Sequence, residues 1–436
     1  MKNRQVNIGI IGLGTVGTGV ARILLEQKEL LTTRSTLSFN LKTIAELDWN
    51  KDRNLDLSQV NCTTDVDELL NDPEINIVVE TIGGYEPAFT FISKALKNRK
   101  HVVTANKALI ATKGMELYKI AQENGVDFLF EASVGGGIPI IKGLREGLVA
   151  NRFESIYGIL NGTTNYILTK MHRDGLEFDE ALKGAQEKGF AEANPTLDIS
   201  GGDAAHKLTI LSSIASNSFI PFDKIYMEGI TGITKMDITF AQSFGMTIKL
   251  LAIYRAYKDG LDLRVHPTLI NNSHLLAAVS NELNAIFVKG DFVGDTMFYG
   301  PGAGERPTAS AIISDIVDLS RDLLLQEGEK YCNRAISLTQ NVQLIPIEDV
   351  TSRFYLRFMT KDIPGVLSMI SGVLAENGIS ISSMVQLESH EKDNYVPIVL
   401  LTHEALEKSM ERALQKIVKF DFVKEDYLRL RIFEES

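Results

Sequence analysis

The sequence predicts an α/β chain of three parts: a Rossmann-type parallel-sheet domain, an α+β domain and a ferredoxin-like domain. Three observations lead there. Residues 6–26 read as strand, glycine turn and helix. Strands and helices then alternate until about residue 138 and stop alternating. The last block, 351–436, reads strand, helix, strand, strand, helix, strand, the order of a split β-α-β unit. A chain of 436 residues accommodates two to four domains at about 100–200 residues each. The expected boundaries are 1–137, completed by a helix near 303–325, then 138–325, a linker over 326–350, and 351–436.

The opening segment VNIGIIG (6–12) is short, apolar and β-branched, as a buried strand is. Gly12, Gly14 and Gly17 follow in GLGTVG, and VARILLEQ continues as a helix. Strand, G-x-G-x-x-G and helix in that order form the context that a dinucleotide site requires. Gly12 makes the tight turn, Gly14 lets the backbone approach a pyrophosphate, and Gly17 lets helix and strand pack closely. The helix start, with Thr15 and Val16, presents N–H donors to the phosphates. A second strand is expected at 41–47, after an inserted loop at 28–40. Glu46 and Asp48 stand at its end, where an acid would hold the adenosine ribose. No arginine is expected at that strand end, although Lys51 and Arg53 are near in sequence. This favours NAD and leaves NADP open.

Further strands are expected at 75–84 and 101–106, with a helix between them at 87–98. Thr81 and Lys107 each follow the carboxyl end of a strand, the edge where open α/β sheets bind ligands. After a helix near 114–123, SVGGGIPI (133–140) supplies three consecutive glycines, suited to close backbone approach or to a hinge. The middle of the chain mixes expected helices (138–149, 202–216, 275–284) with expected strands (153–161, 246–257, 263–270).

The densest chemistry lies in GFAEANPTLDISGGDAAHK (189–207). Ser200 and Asp203 resemble a capping box ahead of a helical run, which puts Asp203 and Lys207 one turn apart on one face. Glu192 arrives from the preceding loop. Two carboxylates and an ammonium can hold a small zwitterion beside a proton donor. The plainer alternative is an ordinary exposed salt bridge, worth a few tenths of a kcal/mol.

Composition excludes several classes. A hydrophobic share of 44% and a charged share of 23% are those of a globular protein. The net charge of −11 gives no general attraction to nucleic acid or to an anionic membrane. No run of 18 apolar residues is present, and the start of the chain lacks a signal-peptide cleavage pattern. Cys62 and Cys332 form neither a disulfide framework nor a metal-ligand spacing, and the seven histidines are scattered. A reducing, cytoplasmic setting fits.

Taken together, GIIGLGTVG (9–17), VVTANKALI (102–110), FEASVGGGIPII (130–141), LNGTTNYIL (160–168), GFAEANPTLDISGGDAAHKL (189–208) and DTMFYGPGAGERPTASAIISD (295–315) resemble homoserine dehydrogenase. The block KDIPGVLSMISGVLAENGISISSM (361–384) resembles an ACT domain. The resemblance implies NAD(P)H-dependent reduction of L-aspartate 4-semialdehyde to L-homoserine, on the route to threonine, methionine and isoleucine. It implies that Lys207 is the catalytic lysine and that Lys107 lines the same site. It further implies that Glu192 and Asp203, with Asp198, hold the substrate. Gly189 and Gly302 or Gly304 would contact the cofactor, and Glu131, Val134, Gly136 and Ile138 would form a sodium-binding loop. It implies a homo-oligomer, a dimer or tetramer, with the middle domain serving dimerisation. The ACT unit would bind an amino acid near 362–365, for which L-threonine as feedback inhibitor is the expectation.

Two other readings compete. A silent amino-acid sensor on the same fold would have no reason to keep Lys207, Glu192, Asp203 and Lys107 together. Aspartate-semialdehyde dehydrogenase chemistry needs a cysteine nucleophile in a defined setting, and Cys62 and Cys332 fall in a polar loop and the linker.

Overall fold

A computed structural model describes residues 5–324, 342–386 and 395–434. These residues form two compact units. The first comprises Met1–Phe153, His206–Lys224 and Asn284–Val342, and the second Glu154–Ala205, Ile225–Leu283 and Gln343–Ser436.

The first unit contains a six-stranded parallel sheet. Its order is Asn61–Thr63, Ser38–Ala45, Gln5–Ile11, Ile77–Glu80, His101–Thr104 and Phe128–Leu129. This is the doubly wound order, in which the chain reverses direction across the sheet beside the first strand. The strands are buried on both faces because helices cover both, so they read as continuous apolar runs. Ile8, Ile10, Val79 and Val103 pack with Val20 and Leu24 of the Thr15–Glu26 helix and with Ile312 and Ile316 of the Glu305–Leu324 helix. The late helix therefore packs into this core. Gly19 permits the two helices to touch: a Cβ there would lie 2.7 Å from the Glu305 carbonyl.

Three local expectations change. The loop expected at 28–40 contains the Lys28–Ser35 helix and the start of the Ser38–Ala45 strand. That helix carries little apolar signal, since only Ser35 is buried on it. The helix expected at 138–149 is one turn, Ile140–Lys142, followed by a wider π-type turn, Gly143–Gly147, bounded by two glycines of low helix propensity. The helix expected at 275–284 shrinks to a 3₁₀ turn at Leu275–Ala278, and a strand follows at Leu283–Gly290. Asn281, at φ 58°, breaks the run between them.

In the second unit the strands are ordered Phe153–Ile159, Met246–Tyr257, Gly260–Asn271, Val423–Ile432, Thr351–Lys361, Tyr395–Thr402 and Ile381–Gln386. The last four, with the Val366–Glu376 and Glu407–Ile417 helices, form the expected ferredoxin-like unit. Phe354, Leu356, Phe358, Ile370, Leu374, Leu400, Met410 and Leu414 fill its core. Buried ion pairs fix its register against the middle of the chain. Tyr355 Oη and Arg357 Nε donate to Asp237 Oδ1 at 2.9 and 2.7 Å. Arg431 is held bidentately by Glu407 and donates from Nη1 to Glu228 at 2.8 Å. Such pairs specify geometry more than they stabilise, because both charges lose their water. Among the described residues, no helix is long and apolar enough to cross a membrane. The linker expected at 326–350 lies outside the described residues up to 341; beyond that, Ile347–Asp349 forms one 3₁₀ turn.

Candidate active site

The glycine turn is built as the spacing requires. Gly12 adopts φ 92°, and its amide donates to Ala45 O at 2.9 Å. A Cβ on Gly17 would lie 2.1 Å from Gly12 O, so only glycine lets the helix start there. Gly14 has nothing within 4 Å of where its Cβ would be, and both it and Thr15 are exposed at the helix start, with Val16 half-buried behind them. Open space over a helix N-terminus fits a pyrophosphate. Thr81 Oγ1 donates to Gly12 O at 2.8 Å, so this hydroxyl braces the turn.

Glu80, fully buried at the end of its strand, holds the next loop. Its carboxylate accepts from the amides of Ile82 and Gly83 at 2.8 and 2.9 Å and from Thr104 Oγ1 at 2.5 Å. Burial pushes its carboxyl up from the ordinary value, and the donors pull it back. Asn106 donates to Gly84 O at 2.6 Å and caps the Lys107–Asn124 helix through the Leu109 amide. Lys107, half-buried, is thus the first residue of a capped helix tied to the loop that carries Thr81.

The adenosine end differs from the expectation. Arg53 does reach the strand end: Nε donates to Leu13 O at 2.7 Å and Nη2 to Asp48 O at 2.8 Å, with Glu46 3.8 Å away. Glu46 is occupied by backbone, accepting from the amides of Leu13, Leu47 and Asp48. Those donors and Arg53 hold its carboxyl low against the opposing effect of burial.

The glycine loops at 135–137 and 302–304 meet in this unit. Gly137 N donates to Pro301 O at 3.3 Å, and a Cβ on Gly136 would lie 2.5 Å from Gly302 O. Gly304 adopts φ 118°. Glu131, 2% exposed, accepts from the amides of Ile141 and Lys142 at 2.9 and 2.8 Å, and its own amide donates to Asp315 at 2.8 Å. Burial, then the Asp315 charge, pushes its carboxyl up to about 7. Asn284 is fully buried against Gly302, and its side-chain amide has no hydrogen-bond partner. An oxygen-rich loop with an unsatisfied amide beside it fits a hard monovalent cation. Val134 and Ile138 are buried in the same loop, with Ile138 N donating to Gly135 O at 2.9 Å.

The second unit holds the acids. Asn161 begins the Gly162–Asp174 helix and accepts from the Thr164 amide at 2.8 Å. Its Nδ2 donates to Asp198 Oδ1 at 2.7 Å and to Asp203 Oδ2 at 2.9 Å, which brings the two expected acids onto one amide. The cap needs the oxygen and the acids need the NH₂, so the amide has one orientation. Asp203 is 3% exposed, Asp198 half-buried and Glu192 exposed. Gly189 is exposed at φ 73°, just past the Phe178–Glu187 helix. Ser200 does not cap the Gly202–Ser216 helix; its hydroxyl donates back to Leu197 O at 3.4 Å. That helix carries Asp203 and, one turn on, Lys207, which is 7% exposed. Both charges are buried, so the exposed salt bridge is ruled out. Asn161, Glu80 and Asn284 were not singled out from the sequence, and Arg53 was noted only as near the strand end along the chain. Only Asn161 had a readable signal, an Asn-Gly pair between a strand and a helix.

A glycine turn open to phosphate, a lysine-bearing helix start at the strand ends and an acid-flanked buried lysine define an NAD(P)-dependent oxidoreductase. Residues 12–131 match the family "Homoserine dehydrogenase, NAD binding domain", 139–317 match "Homoserine dehydrogenase", and 354–419 match the ACT domain. The chain is 43% identical to the homoserine dehydrogenase of Pseudomonas aeruginosa over 98% of this chain and 99% of that one. It is 39% identical to that of Bacillus subtilis over 97% of each. A crystal structure of a homoserine dehydrogenase from Thiobacillus denitrificans superposes with a TM-score of 0.92 at 44% identity, covering 99% of both chains. A hyperthermophilic archaeal homoserine dehydrogenase in complex with NADPH matches with a TM-score of 0.60 at 28% identity, over 73% of this chain and 98% of that one. The chain belongs to the homoserine dehydrogenase family, in the form that carries a C-terminal ACT domain.

Proposed function

We propose that this chain reduces L-aspartate 4-semialdehyde to L-homoserine, reversibly, in the cytoplasmic synthesis of threonine, methionine and isoleucine. The observation that carries this reading is the Gly202–Ser216 helix, with buried Asp203 and Lys207 one turn apart and Asn161 bridging Asp203 to Asp198. When bound, NADH or NADPH supplies the hydride. Gly12, Gly14, Gly17, Thr15 and Val16 hold its pyrophosphate, and Gly189, Gly302 or Gly304 its other end. Lys207 gives a proton from Nζ to the aldehyde oxygen as negative charge develops there. Lys107 adds a second positive charge. Glu192 and Asp203, with Asp198, take the substrate ammonium. A sodium ion would be held by Glu131, Val134, Gly136 and Ile138 and would fix the glycine loops. The domains act as 1–137, 138–325 and 351–436 in a dimer or tetramer, and L-threonine inhibits through the ACT unit near 362–365.

The test is absorbance at the reduced-nicotinamide band, with L-homoserine and each oxidised cofactor in turn. Lys207→Ala is expected to lower kcat by about 10²–10⁴-fold. A variant that keeps more than half of the parent rate removes Lys207 from the chemistry. Absent turnover with either cofactor, together with threonine binding, would favour the silent sensor.

A further inference from the structure

A cavity of about 520 Å³ lies in the second unit. One face of the strands Met246–Tyr257 and Gly260–Asn271 lines it, together with the ends of Thr351–Lys361 and Val423–Ile432. The described lining residues include neither Asp198 nor Asp203 nor the 362–365 loop, so the cavity is separate from the substrate acids and from the ACT loop. Its inner wall is cationic. Arg264 and Arg431 are 2% and 1% exposed, and Arg255 is half-buried beside them. The acids that line it stand at the mouth: Asp259, Asp349 and Glu404 are exposed, and Glu434 pairs with Arg353 at 3.1 Å.

We propose that the inner end of this cavity binds inorganic phosphate as the monohydrogen dianion, with anionic oxygens on Arg264 Nε and Arg255 and the P–OH on His266 Nε2. Arg264 Nη1 donates to Ser352 Oγ at 3.1 Å and Nη2 pairs with Asp262 at 2.9 Å, whereas Nε has no partner among the described residues. A buried charged N–H left unmade is costly, and an anionic oxygen satisfies it best. Arg255 carries the unbalanced charge. It donates from Nε to Tyr157 Oη at 3.0 Å and from Nη2 to Glu434 O at 2.5 Å, and it pairs with no carboxylate among the described residues. Arg431, by contrast, is neutralised by Glu407 and Glu228. Arg255 stands opposite Asp262 on the paired strands, which makes it a diagonal neighbour of Arg264. Such neighbours are about 7–8 Å apart, a separation at which two long side chains converge on one oxyanion.

His266, 1% exposed, selects the ion. Its Nδ1 lies 3.1 Å from Pro267 O, which only accepts, so Nδ1 carries the ring proton. Thr268 Oγ1, at 2.9 Å from Nδ1, shares that proton, because its own hydrogen goes to His266 O at 3.1 Å. Nε2 is left a bare acceptor with no partner among the described residues. Burial, then the charges of Arg431 and Arg264, with Arg429 adding to them, keep the ring neutral. The same charges repel a cation and attract an anion, so the donor that suits Nε2 is a hydroxyl carried by an anion. Positions 264 and 266 share a strand face about 6.8 Å apart, which hydrogen bonds of about 2.9 Å from two oxygens of one phosphate can span. Inorganic phosphate keeps one P–OH as a dianion. Sulfate has none, and a phosphomonoester, whose second pKa is about 6, has none at pH 8.

The experiment is calorimetric and thermal-shift titration of the full chain at pH 8 in phosphate-free buffer, with NADP in excess so that the glycine turn is filled. The probes are inorganic phosphate, sulfate and glycerol 3-phosphate. Phosphate is expected to bind saturably and to raise Tm, and each of the other two to bind at least about tenfold more weakly. Arg264→Lys, which keeps the charge and removes Nε–H, and Arg255→Met should each weaken phosphate at least about tenfold. His266→Phe should bring phosphate down to the affinity of sulfate with circular dichroism unchanged; a merely structural histidine would leave their ratio as it was. Equal affinity for phosphate and sulfate in the parent chain overturns the proposal. So do absent binding at millimolar phosphate, parent-like binding in either arginine variant, and a phosphate preference that survives in His266→Phe. Should the variants fail to fold, crystals of the parent chain soaked in arsenate, a heavier isostere that also keeps one O–H, decide: an anomalous peak against Arg264 and His266 supports the site, and a peak only elsewhere, or none, refutes it.

Discussion

Replacing Asn161 with Ser isolates the bridge between the acids from the helix cap. Serine still accepts at an N-cap, so the Gly162–Asp174 helix keeps its start. What disappears is the NH₂ that donates at 2.7 Å to Asp198 and 2.9 Å to Asp203. Each hydrogen bond to a charged group contributes about 1.5–3 kcal/mol, so the gross loss is about 3–6 kcal/mol. Asp198 is half-buried and recovers water, which leaves the bond to the 3%-exposed Asp203 as the net loss. That is about 1.5–3 kcal/mol, or roughly 10- to 150-fold in a binding constant. The effect is expected in KM for L-homoserine and in kcat/KM, with KM for the cofactor unchanged. Asn161→Ala should show the same kinetic loss plus about 1 kcal/mol of lost stability from the missing cap. Asn161→Asp keeps the cap but faces two carboxylates with a third, so it should bind homoserine more weakly still and recover on acidification. The assay is steady-state turnover beside urea unfolding. An Asn161→Ser enzyme with KM for homoserine within twofold of the parent refutes the claim that the bridged acids hold the substrate.

Three further outcomes are expected. Gly17→Ala, with its Cβ 2.1 Å from Gly12 O, should weaken reduced-cofactor binding at least about tenfold in a fluorescence titration; an unchanged affinity would mean that the turn does not carry the pyrophosphate. Arg53→Ala should lower the ratio of kcat/KM for NADP over NAD by about tenfold, since a guanidinium at this strand end can pair with the extra phosphate; a constant ratio removes Arg53 from cofactor choice. Lys249 is 2% exposed, donates to Asn165 Oδ1 at 3.0 Å, and burial lowers its pKa to about 7 from 10.5. Between those values the unfolded chain holds more protons, so this residue makes stability rise with pH by up to about 1.4 kcal/mol per unit and adds no slope below 7. Urea midpoints at pH 7, 8 and 9 should rise less steeply in Lys249→Met, and parallel slopes would show that the amine is not held neutral.

The sequence by itself determined what depends on neighbours along the chain. The glycine turn is local, because Gly12 and Gly17 answer a clash five residues long. The Gly202–Ser216 helix is local, as is the strand and helix order of the ACT unit. Even the late helix at 305–324 was legible, because its apolar face repeats with helical period. Tertiary structure alone decided which distant groups share a hydrogen bond. Asn161 meets acids 37 and 42 residues away. Arg53 folds back onto Leu13, which put a guanidinium at a strand end that the sequence left acidic. The two glycine loops come together across 164 residues, from Gly137 to Pro301, and the unsatisfied Asn284 packs against the later one. The physical reason is the same in each case. Backbone conformation is set by nearest neighbours, whereas a buried polar atom must find its partner wherever the packed chain places one.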